Sequence, residues 1–205
     1  MPKAYWMSLR IQINDQEKFQ AYAAKAGPAI AAGGGKFLAR GGRVKTLEGY
    51  DQGRVVIIEF PDFDTALKTY HSPAYEDAHS HILNGAVERD TFVVEGVEDL
   101  APRGETAGPV AYWVGAHMTI HDQDKMLAYA AKATEAMAAA GGRFLARGGR
   151  VESLEGYTQN RIALAEHLTW DTASGFYESP LYAEARKALD GGATRDICIT
   201  EALEQ

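Results

Sequence analysis

The eighteen residues "GGGKFLARGGRVKTLEGY" (Gly33–Tyr50) return almost unchanged as "AGGRFLARGGRVESLEGY" (Ala140–Tyr157). An offset of 107 carries Trp6 to Trp113, Tyr22 to Tyr129, Arg40 to Arg147, Arg54 to Arg161 and Glu59 to Glu166. About half of the aligned positions are identical, and the register slips by one residue only near the C-terminus. A repeat of this length is a tandem copy of a whole small-domain unit, and two copies are too few for a solenoid. The units run over 1–98 and 110–205. The Pro-, Gly- and charge-rich "EDLAPRGETAGP" between them reads as a linker over 99–109.

Within a unit the periodicity changes in a fixed order. "YWMSLRIQI" alternates, with Tyr5, Met7, Leu9, Ile11 and Ile13 on one face and Trp6, Ser8, Arg10 and Gln12 on the other, which predicts a strand. "DQEKFQAYAAKAGPAIAAGGG" predicts a helix capped by Asp15 and stopped by glycines, with Pro28 expected to kink or shorten it. "KFLAR" is a short strand, "GGRVKTLEGYDQG" a turn region and "RVVIIEF" an apolar strand. A helix broken at Ser72–Pro73, where the pair serves as N-cap and first residue of a new helical segment, and a closing strand "DTFVVEGV" complete the order β-α-β-β-α-β. That is the ferredoxin-like pattern, an α+β fold whose antiparallel sheet has helices on one face only. Two such units in one chain are expected to pack their bare faces together as a barrel.

Composition limits the function classes. Apolar residues make up 46% and charged residues 24%, an ordinary globular balance. A formal net charge of −7 leaves no basic excess for a nucleic-acid backbone, and no segment has the length and hydropathy of a membrane span. These features predict a soluble cytoplasmic protein with neither nucleic acid nor membrane as partner. The lone Cys198 excludes an intrachain disulfide and is expected to pack as a small apolar side chain near the end of the last strand.

The "AYW" opening, the "GG-x-FLARGG-x-V-x-x-LEG" core, the "R-V-V-x-x-E-F" strand and "Y-x-S-P-x-Y" together resemble the domain-of-unknown-function family 1330, within the dimeric α/β-barrel superfamily. The resemblance covers nearly all of each copy. It implies a chain that is a fused pair of units found elsewhere as homodimers, and it implies no activity. The second copy departs from the first at His167 and Leu168, which stand where Phe60 and Pro61 stand in the first copy.

The candidate chemistry is short. "GGGK" lacks the spacing of a phosphate loop and follows a helix, so it reads as a helix stop. Trp6 and Arg10 lie on the polar face of the first strand, Arg40 on the face of Leu38, and Glu59 on that of Val55 and Ile57. If the polar face turns inward, these residues share the barrel interior. Trp6, Arg10, Arg40, Trp113, His117 and Arg147 are then the ligand-binding candidates, with arginine suited to an anion. Glu59 and Glu166 are the candidate bases of a cofactor-independent oxygenase or isomerase, with Arg40 or Arg147 holding an oxyanion. A structural Arg–Glu pairing in a filled barrel is the third reading. The six histidines have no metal-ligand spacing, and no cofactor is called for. Pairing of the repeats within the chain is expected, with a homodimer of the whole chain left open.

Overall fold

The computed structural model describes residues 1–100 and 110–203. Most of the expected linker, residues 101–109, lies outside the described residues. The first repeat runs β1 (Ala4–Ile13), α1 (Gln16–Ala32), β2 (Lys36–Arg40), β3 (Val44–Glu48), β4 (Val56–Phe60), α2 (Phe63–Tyr70), α3 (Pro73–His79) and β5 (Val87–Glu95). The second runs β6 (Ala111–Ile120), α4 (Gln123–Ala139), β7 (Arg143–Arg147), β8 (Val151–Glu155), β9 (Ala163–His167), α5 (Trp170–Glu178), α6 (Pro180–Leu189) and β10 (Ala193–Glu201). Helix starts follow the expected capping: Asp15 Oδ1 accepts the Lys18 N–H at 3.0 Å and Ser72 Oγ accepts that of Tyr75. Pro28 neither ends nor shortens α1, which continues four residues beyond it to Ala32.

Two antiparallel five-stranded sheets form, in the orders β2-β4-β1-β5-β8 and β3-β10-β6-β9-β7. Each repeat thus sends one strand into the other's sheet. Val93 of β5 pairs with Glu152 of β8, and Ile199 of β10 with Lys45 of β3. The sequence reading of "GGRVKTLEGYDQG" as a turn is therefore corrected. Its central residues have no strand partner within their own repeat and become a strand only against the other repeat's last one.

The chain is layered helices, sheet, sheet, helices. Tyr5, Met7, Leu9, Ile57, Phe92 and Val94 meet Tyr112, Val114, Leu145, Leu164 and Cys198 in one buried apolar layer between the sheets. There burial pushes the Cys198 thiol up to about 12. Trp6, Ile58, Phe60, Tyr75 and Val93 form the layer under α1–α3, and Trp113, Phe176, Tyr182 and Ile199 its counterpart under α4–α6. No helix among the described residues is long and apolar enough to cross a membrane.

Polar clamps close the two crossings. Glu155 on β8 accepts from Arg89 on β5 at 2.9 and 2.6 Å, and Glu48 on β3 accepts from Arg195 on β10 at 2.8 and 3.0 Å. Arg89 also donates to the Tyr22 and Tyr75 hydroxyls. Burial pushes the Glu155 carboxyl up, but His79 and Arg89 outweigh it and hold the group at about 2.

A second cluster sits where the two repeats face each other near the pseudo-two-fold axis. β1 and β6 each carry an extra residue against their neighbours, between Leu9 and Gln12 and between Ala116 and Thr119. Arg10 and His117 occupy these bulges with φ of 50° each. Left-handed backbone at a non-glycine residue costs about 1–3 kcal/mol, and the Gln52 and Gln159 side chains help to hold it by accepting the two bulge N–H groups. Arg10 donates to Asp196 Oδ2 at 2.9 and 2.6 Å. His117 places Nε2 at 2.7 Å from Asp90 Oδ2 and Nδ1 at 3.1 Å from Asp196 Oδ2. Only the Nε2 contact has hydrogen-bond geometry, Nδ1 standing at ion-pair distance, but two carboxylates this close to one ring favour the imidazolium. Burial lowers the His117 pKa, but Asp196 and Asp90 outweigh it and raise the pKa above the ordinary histidine value. Burial likewise raises Asp196, yet His117, the Tyr50 N–H and Arg10 bring it to about 2.

Two outcomes follow. Phe92→Ala, at a fully buried site between the sheets, should cost about 3–5 kcal/mol in urea unfolding. The His117 contribution is complete below pH about 6.5 and is lost as pH rises through the raised folded pKa. Stability in urea should therefore decline on the alkaline side of pH about 6.5, with a slope of up to about 1.4 kcal/mol per pH unit until the folded pKa is passed. His117→Arg, which restores the residue of the first repeat, should flatten that slope, and a slope that persists would place the titration elsewhere.

Candidate functional site

The sequence reading put Trp6, Arg10, Arg40 and Glu59 in one interior. The fold distributes them among three places, because β1 and β2 carry bulges that alternation alone does not reveal. Along β2, Phe37 faces Ile58 while Ala39 faces Ile57, so Leu38 is an extra residue. Leu38 and Ala39 both join the layer between the sheets. Arg40 pairs with Val56 and turns to the helix side, opposite to Leu38. β7 repeats the bulge between Phe144 and Ala146, which turns Arg147 the same way.

Trp6 is likewise under the helices. Its ring meets Tyr75 edge-on at 4.8 Å and Tyr70 at 5.2 Å. Trp113 sits edge-on to Phe176 at 6.2 Å and Tyr182 at 6.4 Å. Both are packing residues of the sheet–helix layers. Arg10 and His117 are engaged with two aspartates at the pseudo-two-fold axis.

Glu59 and Glu166 do face the space between the sheets, at one end of the barrel. Lys3 Nζ lies 2.7 Å from Glu59, and Arg143 pairs with Glu166. A recess of about 180 Å³ adjoins them, lined also by Lys36, Leu38, Leu100 and Leu145. The Tyr5 hydroxyl, whose pKa is raised by burial and then by Glu59 and Glu166, points to the same end. Arg40 is on the far side of the sheet from Glu59, so the base and oxyanion holder of the enzyme reading are not brought together.

Another cavity, which brings two unengaged guanidiniums together, lies between the first sheet and α1. It measures about 40 Å³, room for about one or two water-sized groups. Trp6, Ser8 and Ile58 line its sheet side, while Phe19, Tyr22 and Gly27 line the α1 side. Arg40 and Arg54 also line it. Arg40 lies over Phe37, 4.8 Å from the ring centre, and Arg54 over Phe19 at 5.3 Å. Gly41, at φ 73°, makes room for the Arg54 guanidinium, whose atoms stand 3.1 Å from where a Cβ would be. Burial first, and then the charge of Arg40, lower the Arg54 pKa. Among the described residues neither guanidinium meets a carboxylate or another hydrogen-bond acceptor. Arg54 and Gly27 were not among the sequence candidates; the recurrence of Arg54 as Arg161 at the offset of Arg40 and Arg147 was the available signal.

The second repeat has the corresponding cavity, of about 30 Å³, lined by Met118, Met126, Met137, Arg147 and Arg161. Here Arg147 is engaged with α4: Nη1 donates to Thr134 Oγ1 and Nη2 to the Ala130 carbonyl at 2.6 Å. Among the described residues no three His, Cys, Asp or Glu side chains converge as a metal ion would require.

Known structures share this architecture at low identity. An anthrone oxidase-like protein, at 10% identity, is covered over 92% of its chain by 100% of this one with a TM-score of 0.55. A candidate monooxygenase from Fusobacterium nucleatum subsp. nucleatum, at 8% identity, is covered over 93% of its chain by 99% of this one with a TM-score of 0.52. A protein of unknown function from Rhodopseudomonas palustris matches at 20% identity over 49% of this chain and 85% of its own, with a TM-score of 0.38. No curated protein matches the sequence. For the first two of these structures, at 8–10% identity, the likeness is one of fold. The family model described as "Domain of unknown function (DUF1330)" matches residues 3–97 and again 110–203. The chain therefore belongs to the DUF1330 family and carries two copies of its domain.

Proposed function

We propose that this protein binds a small organic anion, a short-chain carboxylate, in the cavity between the first sheet and α1. The observation that carries the reading is the pair Arg40 and Arg54, half-buried side by side at a partly open cavity with no acceptor among the described residues. Two guanidiniums brought together repel each other, and an anion between them turns that repulsion into attraction. Their planar donor edges match a carboxylate better than a point charge would. The small volume, with Trp6 and Ile58 on the sheet side, limits the ligand to a short apolar body behind its charged head.

The space between the sheets supports a ligand less well. Its middle is filled by apolar side chains, and Glu59 and Glu166 at its end already have cationic partners. The oxidase and monooxygenase descriptions of the structural neighbours do not transfer at 8–10% identity.

Titration with sodium acetate, whose single methyl fits the cavity, followed by amide NMR at low salt, tests the reading, with acetamide as the uncharged control. Acetate should shift the amides around Arg40 and Arg54, and acetamide should not. Arg54→Gln, which removes a charge-assisted contact, should weaken binding by about 10- to 100-fold, the equivalent of about 1.5–3 kcal/mol. Equal binding of the two compounds, or shifts centred on Glu59 and Glu166, would refute the assignment.

A further inference from the structure

The two cavities occupy equivalent places, yet they are not equivalent chemically. We infer that the chain has one anion site and not two, and that the helix residue at position 27 in the first repeat and 134 in the second decides which arginine is free to bind. This inference rests on the carboxylate reading of the first cavity.

Gly27 lies on α1 against Arg40; a Cβ built there would stand 3.7 Å from Arg40 Nη1 and touch nothing else. With no side chain to accept from it, the Arg40 guanidinium rests on Phe37 with its donors unspent. One offset of 107 away, Thr134 supplies the missing acceptor. Its hydroxyl takes the Arg147 Nη1 donor, and the Ala130 carbonyl takes Nη2. Arg147 also keeps the ring contact, at 4.7 Å from the Phe144 centre. An arginine whose donors are directed at its own helix has to break those bonds before it can hold a carboxylate, and the ligand bears that cost.

The remaining walls changed in the same sense. Ser8, whose hydroxyl lines the first cavity and bonds Thr91 at 3.0 Å, is replaced by Gly115. Phe19 and Ile30 are replaced by the more adaptable Met126 and Met137. The second cavity thus has one guanidinium, that of Arg147, tied to its own helix, which leaves Arg161 in place of the unengaged pair of the first cavity, and it lacks the Ser8 hydroxyl. Fusion of the repeats allows this, since a symmetric homodimer has to make every substitution in both of its sites.

The test counts sites by amide NMR on the full chain with acetate. In the unmodified protein, amides around Arg40 and Gly27 should titrate, and those around Arg147 and Thr134 should stay unmoved at the same concentrations. Thr134→Ala, which removes the hydroxyl and favours the helix, should bring the second cavity into the titration. Gly27→Ser, which offers Arg40 an acceptor on α1, should weaken the first site by about 10-fold, the size of one charged hydrogen bond. Circular dichroism checks that both variants fold, and the Thr134→Ala arm stands alone if Gly27→Ser does not. Equal titration of both cavities in the unmodified chain would overturn this inference and leave the carboxylate reading intact. Titration of neither would overturn both. A second cavity still silent in Thr134→Ala would remove position 134 as the determinant.

Discussion

Each sheet has helices on one face, and everything else in this molecule depends on how the other face is buried. The solution is the apolar layer in which Tyr5, Met7 and Phe92 meet Tyr112, Val114 and Leu164. Removing that surface from water is the dominant favourable term available to either repeat. The exchange of β3 and β8 extends the contact from faces to edges. Each sheet is completed by hydrogen bonds from the other repeat, so neither sheet is whole without its neighbour. Covalent fusion makes this pairing intramolecular and independent of concentration.

Polar groups then set the register that the apolar layer leaves unspecified. Arg89 with Glu155, and Arg195 with Glu48, bind the exchanged strands at equivalent positions. Buried pairs of this kind contribute little net stability against an apolar alternative, but a slipped strand would leave a charge unpaired inside the protein. At the pseudo-two-fold axis the pairing is no longer symmetric. Arg10 and His117 play corresponding parts, one permanently charged and one titratable, with its pKa raised by Asp196 and Asp90 against the effect of burial. The same freedom from symmetry separates Gly27 from Thr134. Duplication followed by fusion thus gives one scaffold in which the copies share packing and differ in polar chemistry.

A large part of this architecture was legible in the residues. The repeat, the β-α-β-β-α-β order, the Asp15 and Ser72 caps and the face-to-face pairing follow from local periodicity, and the structure has them. The candidate site was much less legible. Trp6 reads as an interior plate beside Arg10 because alternation places them on one face, but both faces of β1 are buried, and the apolar one turned toward the other sheet. Arg40 reads as a neighbour of Leu38, and the β2 bulge sent it to the opposite side. Glu59 was assigned to the correct face, yet the arginine meant to assist it is across the sheet. Arg54 heads the apolar segment "RVVIIEF", and only its recurrence as Arg161 marks it beside Arg40.

What the amino-acid sequence determined by itself was the set of elements and their duplication, because helix caps, glycine stops and two-residue alternation act over a few neighbouring positions. What only the tertiary structure decided was the partner of each strand and the side to which each polar residue turned. "VKTLE" has no partner strand until the other repeat supplies β10. The facing of Arg10, Arg40, His117 and Arg147 depends on bulges, and a bulge is a mismatch between two paired strands. Neither strand's sequence contains that mismatch, which exists only in their register.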